Sequence, residues 1–380
     1  MAVTTRLLVA RTPEERQRAY RLRYAVYVDE MGKSQVPGTR HPEREIRDDH
    51  DDRAEVLCLE DGDEVIGTVR NIYAADYLPV EYRQWFGLEA FDDIPREQIS
   101  FTSRLMLADA HRGTSAIAAL LKETYVAGRA RGVIYTFIHC TPALIPLYEM
   151  LGFRVYRRGL ANTDVGQHVP MLLVADDLGH LELTRSPFRK YAVDFSVRPP
   201  SDDWFARRFP HYQLPSSRKV AGEDAFFASL SSNLTNERGA ILEGISAEAL
   251  DGLTRGGAII DVADGDYVLR AEEGGRDLFV VLAGLVEVVL GTASGSRRVL
   301  CTIGPGQVLG EVSFLYPTLR TADAISVGNA RLLCLTQEAV QRAISAAPES
   351  AARFLLNLSK VLATRLAMTT KMLREDGSPA

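Results

Sequence analysis

Along the first half of the chain the period of apolar and polar positions changes several times. Residues 13–31 set Tyr20, Tyr24, Val26 and Tyr27 among arginines behind Pro13, a spacing that predicts an amphipathic helix with an aromatic face. The apolar runs Val56–Leu59 and Glu64–Arg70 flank Glu60-Asp61-Gly62-Asp63, turn chemistry that predicts a β-hairpin. Ser103–Leu107 predicts a third strand; a loop with His111, Arg112 and Gly113 follows, and small and aliphatic residues from Thr114 to about Ala130 predict a helix. Val133–Ile138 predicts a fourth strand, which leads through Pro142 to a short helix and to Leu151–Tyr156. Strands alternating with helices on one sheet predict an α/β architecture.

The pattern changes between about Thr184 and Val220, which hold five of the 17 prolines and eight Lys/Arg against three Asp. Phe188, Tyr191, Phe195, Trp204, Phe205, Phe209 and Tyr212 make this stretch too aromatic for a free spacer, so it is expected to pack on the first domain. The expected boundaries are 1–183, a connecting segment 184–221, and 222–380. After a helical approach over 223–253 come short runs with glycine turns: Tyr267–Leu269, Leu278–Leu282, Val286–Leu290 and Val299–Leu300. Such spacing predicts an all-β sandwich or barrel. Phe354, Leu355, Leu358, Val361, Leu362 and Leu366 then predict a terminal helix over roughly 351–374.

A chain of 380 residues fits two domains rather than one, and 46% hydrophobic with 25% charged residues is a soluble, globular composition. A net charge of -6 gives no overall attraction to polyanions, so a nucleic-acid partner is not expected. Cys58, Cys140, Cys301 and Cys334 stand too far apart for a zinc or dithiol spacing; no metal is expected, and the thiols suit a reducing compartment. No run of about 18 apolar residues occurs, and the N-terminus lacks the charged start and apolar stretch of a signal peptide. A cytoplasmic protein without an integral membrane segment is the expectation.

The loop from Ala108 to Ala116 joins a predicted strand to a predicted helix, and unpaired N–H groups at a helix start attract phosphate. Gly113 permits close backbone approach and Arg112 adds a cationic fork. With Leu147-Tyr148-Glu149-Met150-Leu151-Gly152-Phe153 downstream, this loop resembles the acyl-thioester site of the GNAT acyltransferase superfamily. The resemblance implies a mixed sheet with flanking helices, a pyrophosphate grip by Leu107, Arg112, Gly113, Thr114, Ser115 and Ala116, and Tyr148 as the acid that protonates the leaving thiolate. Arg23–Tyr27, Asp48-Asp49-His50-Asp51, Gly67–Arg70 and Ser103-Arg104 are similar to N-acyl amino acid synthases and the related autoinducer synthases, over about residues 6–180. That implies a donor that is acyl-coenzyme A or an acyl carrier protein thioester, and a small-molecule amine, an amino acid, as acceptor. Phe101 departs from the pattern, since related sequences often carry Glu there.

Transfer to an amine needs a neutral nucleophile, attack on the thioester carbonyl and protonation of sulfur. Asp48 and Asp51 are the candidate bases, directly or through water. Arg70 and Arg104 are the candidates to receive a carboxylate or a carrier-protein phosphate, with a salt bridge to the acidic loop as the alternative. His139 and Cys140 read as core packing.

Residues 309–322, Leu-Gly-Glu-Val-Ser-Phe-Leu-Tyr-Pro-Thr-Leu-Arg-Thr-Ala, place a glycine and a glutamate at a short helix and an arginine nine positions later. The arginine and helix start suit a cyclic phosphate, and the carboxylate can accept from a ribose hydroxyl. The segment resembles the phosphate-binding cassette of cyclic nucleotide-binding domains, and Asp264–Val268, Phe279–Gly284, Gly304–Gly306 and Leu332–Leu335 extend the likeness over about residues 238–370. The family implies a jelly-roll barrel with flanking helices, Glu311 on the ribose, Arg320 on the phosphate, and Gly310, Val312, Ser313, Thr321 and Ala322 around them. Cyclic AMP is the expected regulatory ligand, with cyclic GMP as the alternative because Thr321 offers a hydroxyl to a guanine.

The combined reading is an acyltransferase regulated by cyclic nucleotide. A cyclic-nucleotide-regulated protein lysine acetyltransferase and a non-catalytic sensor are the alternatives. The terminal helix admits two arrangements, pairing with its copy in a homodimer or lying on its own barrel.

Overall fold

The computed structural model describes residues 5–34, 36–112, 116–163, 166–192, 204–212, 241–246, 257–291 and 297–376. The expected helical approach before the barrel lies almost wholly outside them. The chain clusters into two compact units, Met1–Thr141 with Leu147–Arg157 and Ala161–Gln213, and Pro142–Pro146 with Arg158–Leu160 and Leu214–Ala380.

The first unit opens with β1 (Thr5–Val9) and α1 (Pro13–Tyr24). Thr12 accepts from the Glu15 N–H at 3.2 Å while Glu15 accepts from the Thr12 N–H at 3.0 Å, and this reciprocal cap fixes where the helix starts. The helix passes at Ala25–Glu30 into a wider π-helical turn that carries Tyr27. A small hairpin of β2 (Thr39–Arg40) and β3 (Glu45–Ile46) precedes the longer hairpin of β4 (Glu55–Asp61) and β5 (Glu64–Tyr73), which turns through Gly62 at φ 61°. Then follow α2 (Val80–Phe86), β6 (Ile99–Leu107), α3 (Ala116–Ala130), β7 (Tyr135–Cys140), α4 (Ile145–Leu151), β8 (Arg154–Val155), β9 (Ala161–Thr163) and β10 (Gly166–Val174). Short helices α5 (Leu178–Leu183), α6 (Arg189–Ala192) and α7 (Trp204–Arg208) complete the unit.

Its sheet runs β1-β4-β5-β6-β7-β10-β8, with β9 on β10. All pairs are antiparallel except β6–β7. Alternation along the strands feeds both faces. Val56, Cys58, Val65 and Met106 pack with Ala19 and Leu22 of α1, whereas Leu57, Leu59, Ile66 and Val69 pack with Ala116 and Leu120 of α3. Farther along, Ile72, Phe101 and Phe137 pack with Tyr82 and Phe86 of α2 and with Phe205 of α7.

The second unit is a six-stranded antiparallel barrel, ordered β11 (Ala258–Val262), β16 (Asp323–Leu335), β13 (Leu278–Gly291), β14 (Arg297–Ile303). β12 (Tyr267–Leu269) pairs with β16, and β15 (Val308–Leu309) pairs with β13. The two expected strands 278–282 and 286–290 are one strand, β13. Gly284 bends it without ending it: at φ 82° the ladder slips register, and a Cβ there would lie 2.5 Å from the Asn329 carbonyl oxygen. Helices α8 (Glu311–Leu315), α9 (Gln337–Ala346) and α10 (Pro348–Asp376) close the unit. Phe314, Val340, Phe354 and Leu358 insert from them between Leu278, Val280, Val308 and Leu333. The start of α10 thus lies on its own barrel, while Leu366 and Met368 beyond remain exposed.

Candidate functional site

β6 and β7 are hydrogen-bonded only from Ile99↔Tyr135 to Phe101↔Phe137, yet β6 continues to Leu107 and β7 to Cys140. β7 stays on β10 up to Cys140↔Val169, so the two parallel strands part. Past Phe101 the two strands share no further rung. The parting opens on the α3 side into a pocket lined by Asn71, Thr102, Leu105, Leu121, Ile138 and Tyr148, among other residues. Leu105 and Ile138 lie beyond the last shared rung. Tyr148, on α4, is half-buried, and burial raises its hydroxyl above the ordinary range, so it stays protonated at neutral pH.

The opposite face holds a buried charge network. Arg23 of α1, fully buried, donates to Asp51 at 2.8 Å, and Asp51 accepts the Asp48 N–H at 3.0 Å. Asp48 receives Arg70 at 2.5 Å on one oxygen and Arg104 at 2.9 Å on the other. Arg70 also donates to Ser103 at 3.1 Å, and the Arg104 guanidinium lies 5.4 Å from the Tyr27 ring centre. Arg104 has φ 54°, beside the register slip between β5 and β6, which turns it out of strict alternation. Burial pushes the Asp48 carboxyl up, but attraction from Arg70 and Arg104 outweighs it and holds the group well below the ordinary value of 3.8.

This geometry corrects three expectations. Asp48 is locked between two arginines and too weakly basic to take a proton from an amine. Asp51, 0% exposed, is committed to Arg23 and the Asp48 amide. Arg70 and Arg104 hold Asp48, so the salt bridge to the acidic loop is the arrangement seen. His139, read from the sequence as core packing, lies against the rings of Trp85 and Phe86, and burial, then His168, Arg104 and Arg70, lower its pKa well below 6.5. It is therefore neutral at physiological pH, and its buried Nδ1 has no partner. Its neighbour His168, 4.9 Å away between ring centres, is pulled down to about 3 by burial.

At the expected pyrophosphate loop, Leu107 is buried at the end of β6 and Ala116 is buried at the start of α3. Arg112 is held by Glu30 and, at 3.0 Å, by Asp109. Gly113, Thr114 and Ser115 lie outside the described residues.

In the second unit Gly310 stands at φ 85° before α8, where a Cβ would lie 2.6 Å from Arg320 Nη1 and 2.8 Å from the Asp277 carbonyl oxygen. Arg320 is 5% exposed and donates to Gly310 O at 3.1 Å, Ser313 Oγ at 2.5 Å and Asp277 O at 3.0 Å. Burial lowers its pKa, and nearby acidic groups counter the effect. Glu311, also buried, pairs with Arg365 of α10 at 2.6 Å. Val312 and Thr321 are exposed, and Ala322 is half-buried. The two residues chosen for ribose and phosphate thus lie beside one turn, each already bonded to protein. Arg365 was missed because it lies 54 residues from Glu311 in sequence, with no local signal.

Two protein families match the chain. Residues 18–175 match the N-acyl amino acid synthase FeeM family and residues 259–347 match the cyclic nucleotide-binding domain, so an N-acyltransferase-type domain and a cyclic nucleotide-binding domain are joined in one polypeptide. Among curated relatives, a CRP-like cAMP-activated global transcriptional regulator of Mycobacterium tuberculosis is 28% identical over 138 residues, 36% of this chain and 60% of that protein. The cyclic nucleotide-gated channel beta-3 of Mus musculus is 33% identical over 119 residues, 30% of this chain and 17% of the channel. Among solved structures, the Thermus thermophilus catabolite activator protein aligns at 27% identity with a TM-score of 0.32, over 36% of this chain and 62% of that one. The chain spans only 60% of the length of the first of these relatives.

Proposed function

We propose that the first unit transfers an acyl group from acyl-coenzyme A or an acyl carrier protein thioester to the amine of an amino acid, and that the second unit binds cyclic AMP and adjusts the rate. The observation that carries this reading is the parting of β6 from β7 beside an apolar pocket that Tyr148 lines. An extended pantetheine arm would pair with the freed strand edges, which brings the thioester carbonyl to the pocket mouth. The amine attacks the carbonyl carbon and the C–S bond breaks. The Tyr148 hydroxyl, which its raised pKa keeps protonated at neutral pH, supplies the proton that the departing sulfur takes. The proton lost by the nitrogen passes to solvent water at the pocket mouth. The guanidiniums of Arg23, Arg70 and Arg104 gather on one face of the sheet, which suits the acceptor's carboxylate, so these residues position rather than catalyse.

In the second unit Arg320 would turn from its protein partners to the cyclic phosphate and Glu311 from Arg365 to the ribose hydroxyl. Cyclic AMP is preferred because the transcriptional regulator among the relatives is named as activated by it. Acyl transfer is tested by incubating the purified chain with long-chain acyl-coenzyme A and an amino-acid mixture and weighing the products. N-acyl amino acids are expected with the wild type, and Tyr148→Phe should lower kcat by about 10²-fold. Loss of thioester without an N-acyl product would contradict the reading.

A further inference from the structure

The widened turn Ala25–Glu30, which follows α1, reaches three separate elements through three arginines. The Tyr27 ring centre lies 5.4 Å from the Arg104 guanidinium of β6, and Asp29 accepts from Arg44, between β2 and β3, at 2.6 Å. Glu30 accepts from Arg112 in the loop after β6. Turns of this width are rare and frequently mark functional sites. This one is closed by the Met31 N–H on Val26 O at 3.1 Å and the Lys33 N–H on Tyr27 O at 2.8 Å.

Arg112 stands apart from the other two arginines because each of its three nitrogens has a protein acceptor. Nε donates to Leu107 O at 3.3 Å, Nη1 donates to Asp109 at 3.0 Å, and Nη2 donates to Glu30. Leu107 and Asp109 lie within five positions of the arginine and travel with it. Glu30 comes from 82 positions away and gives the guanidinium fork anionic oxygens, as a phosphate does. The pair faces solvent, with the Glu30 side chain 33% and the Arg112 side chain 45% exposed, and such pairs hold weakly. A weakly held carboxylate on the nitrogen that a donor phosphate needs is a removable one.

We propose that Glu30 stands in for the donor's pantetheine phosphate on Arg112, and that the phosphate displaces it on binding. Displacement frees the turn Ala25–Glu30, so occupancy of the donor side reaches the contact of Tyr27 with Arg104 on the acceptor side. This inference rests on the acyl-transfer reading, with Arg112 gripping the donor, and adds a latch to it. Glu30 acts through Arg112 and the turn and is therefore a positioning residue. One anionic oxygen leaves the guanidinium as another arrives, and the freed carboxylate passes to solvent.

The test is calorimetric binding of coenzyme A and of 4′-phosphopantetheine to the full chain, with the folding of each variant checked by thermal melting. Glu30→Gln removes the competing charge and should tighten coenzyme A about threefold to fivefold, the scale of one exposed ion pair. An equal gain for 4′-phosphopantetheine assigns the displacing group to the single phosphate that carrier proteins also bear, and a gain for coenzyme A alone assigns it to the diphosphate. Asp29→Asn deletes the same charge one residue away, where Arg44 is the partner, and should leave both affinities within about twofold. Movement of the turn is read by hydrogen exchange in peptides spanning 25–34. Coenzyme A should speed exchange there in the wild type, whereas in Glu30→Gln exchange should already be fast and stay unmoved by the ligand. An affinity unchanged in Glu30→Gln, an equal gain in Asp29→Asn, or wild-type exchange that coenzyme A does not speed would overturn this inference and leave acyl transfer standing. No binding of either ligand by any variant would overturn both.

Discussion

At the scale of single residues, the strongest commitments are buried charges whose partners come from distant elements. Asp48 joins Arg70 of β5 to Arg104 of β6. Removing its charge leaves two buried guanidiniums facing each other without it. Asp48→Ala should therefore cost about 3 kcal/mol of stability, measured by urea unfolding. The pH dependence follows from the sign of the shift. Because folding lowers the Asp48 pKa, its contribution is complete above the ordinary value of 3.8 and is lost as pH falls towards the folded value, so Asp48→Ala should flatten the acid limb of the stability curve and leave its slope between pH 6 and 8 unaltered. The sequence made Asp48 conspicuous as one of ten acidic residues in twenty, but composition gives no sign of which of the ten meet arginines. That choice is made by the turn at Asp51–Arg53, which folds the segment back so that Asp51 meets Arg23 and Asp48 meets β5.

At the scale of elements, what local pattern specifies was legible and what partner strands specify was not. The hairpin of β4 and β5 and the start of α1 follow from turn and cap residues within four positions of each other. The parting of β6 and β7 has no such signature, because both strands remain apolar past Phe101 and only pairing shows where they separate. β10 and most of β16 were overlooked as well: Gly166–Val174 opens on the polar Gln167 and His168, and Asp323–Leu335 is interrupted by Gly328 and Asn329, which read as a turn. Gly310 is a case where sequence and structure agree closely. Its left-handed φ and the crowding of any Cβ by Arg320 and the Asp277 carbonyl mean that Gly310→Ala should destabilise the barrel by about 2 kcal/mol. The same substitution pushes on Arg320, so cyclic AMP affinity should fall at least tenfold in equilibrium binding.

At the scale of the whole molecule, the account joins two sites through differential affinity. A ligand moves an equilibrium only as far as it prefers one state, and a tenfold preference corresponds to about 1.4 kcal/mol. Saturating cyclic AMP should therefore change acyl transfer by a factor between about two and ten rather than switch it fully, and Arg320→Ala should abolish the response. The nucleotide should also stabilise the fold, by about 2.7 kcal/mol at a hundred times its Kd, visible as a raised melting temperature that Arg320→Ala removes. The claim on which the rest depends is N-acyl transfer from a thioester. Its most direct measurement follows an isotope-labelled amino-acid mixture and long-chain acyl-coenzyme A through incubation with the purified full chain, with mass spectrometry of the products. The expected result is a labelled N-acyl amino acid formed in step with free coenzyme A; intact thioester, or release of coenzyme A with only the free acid, would contradict it.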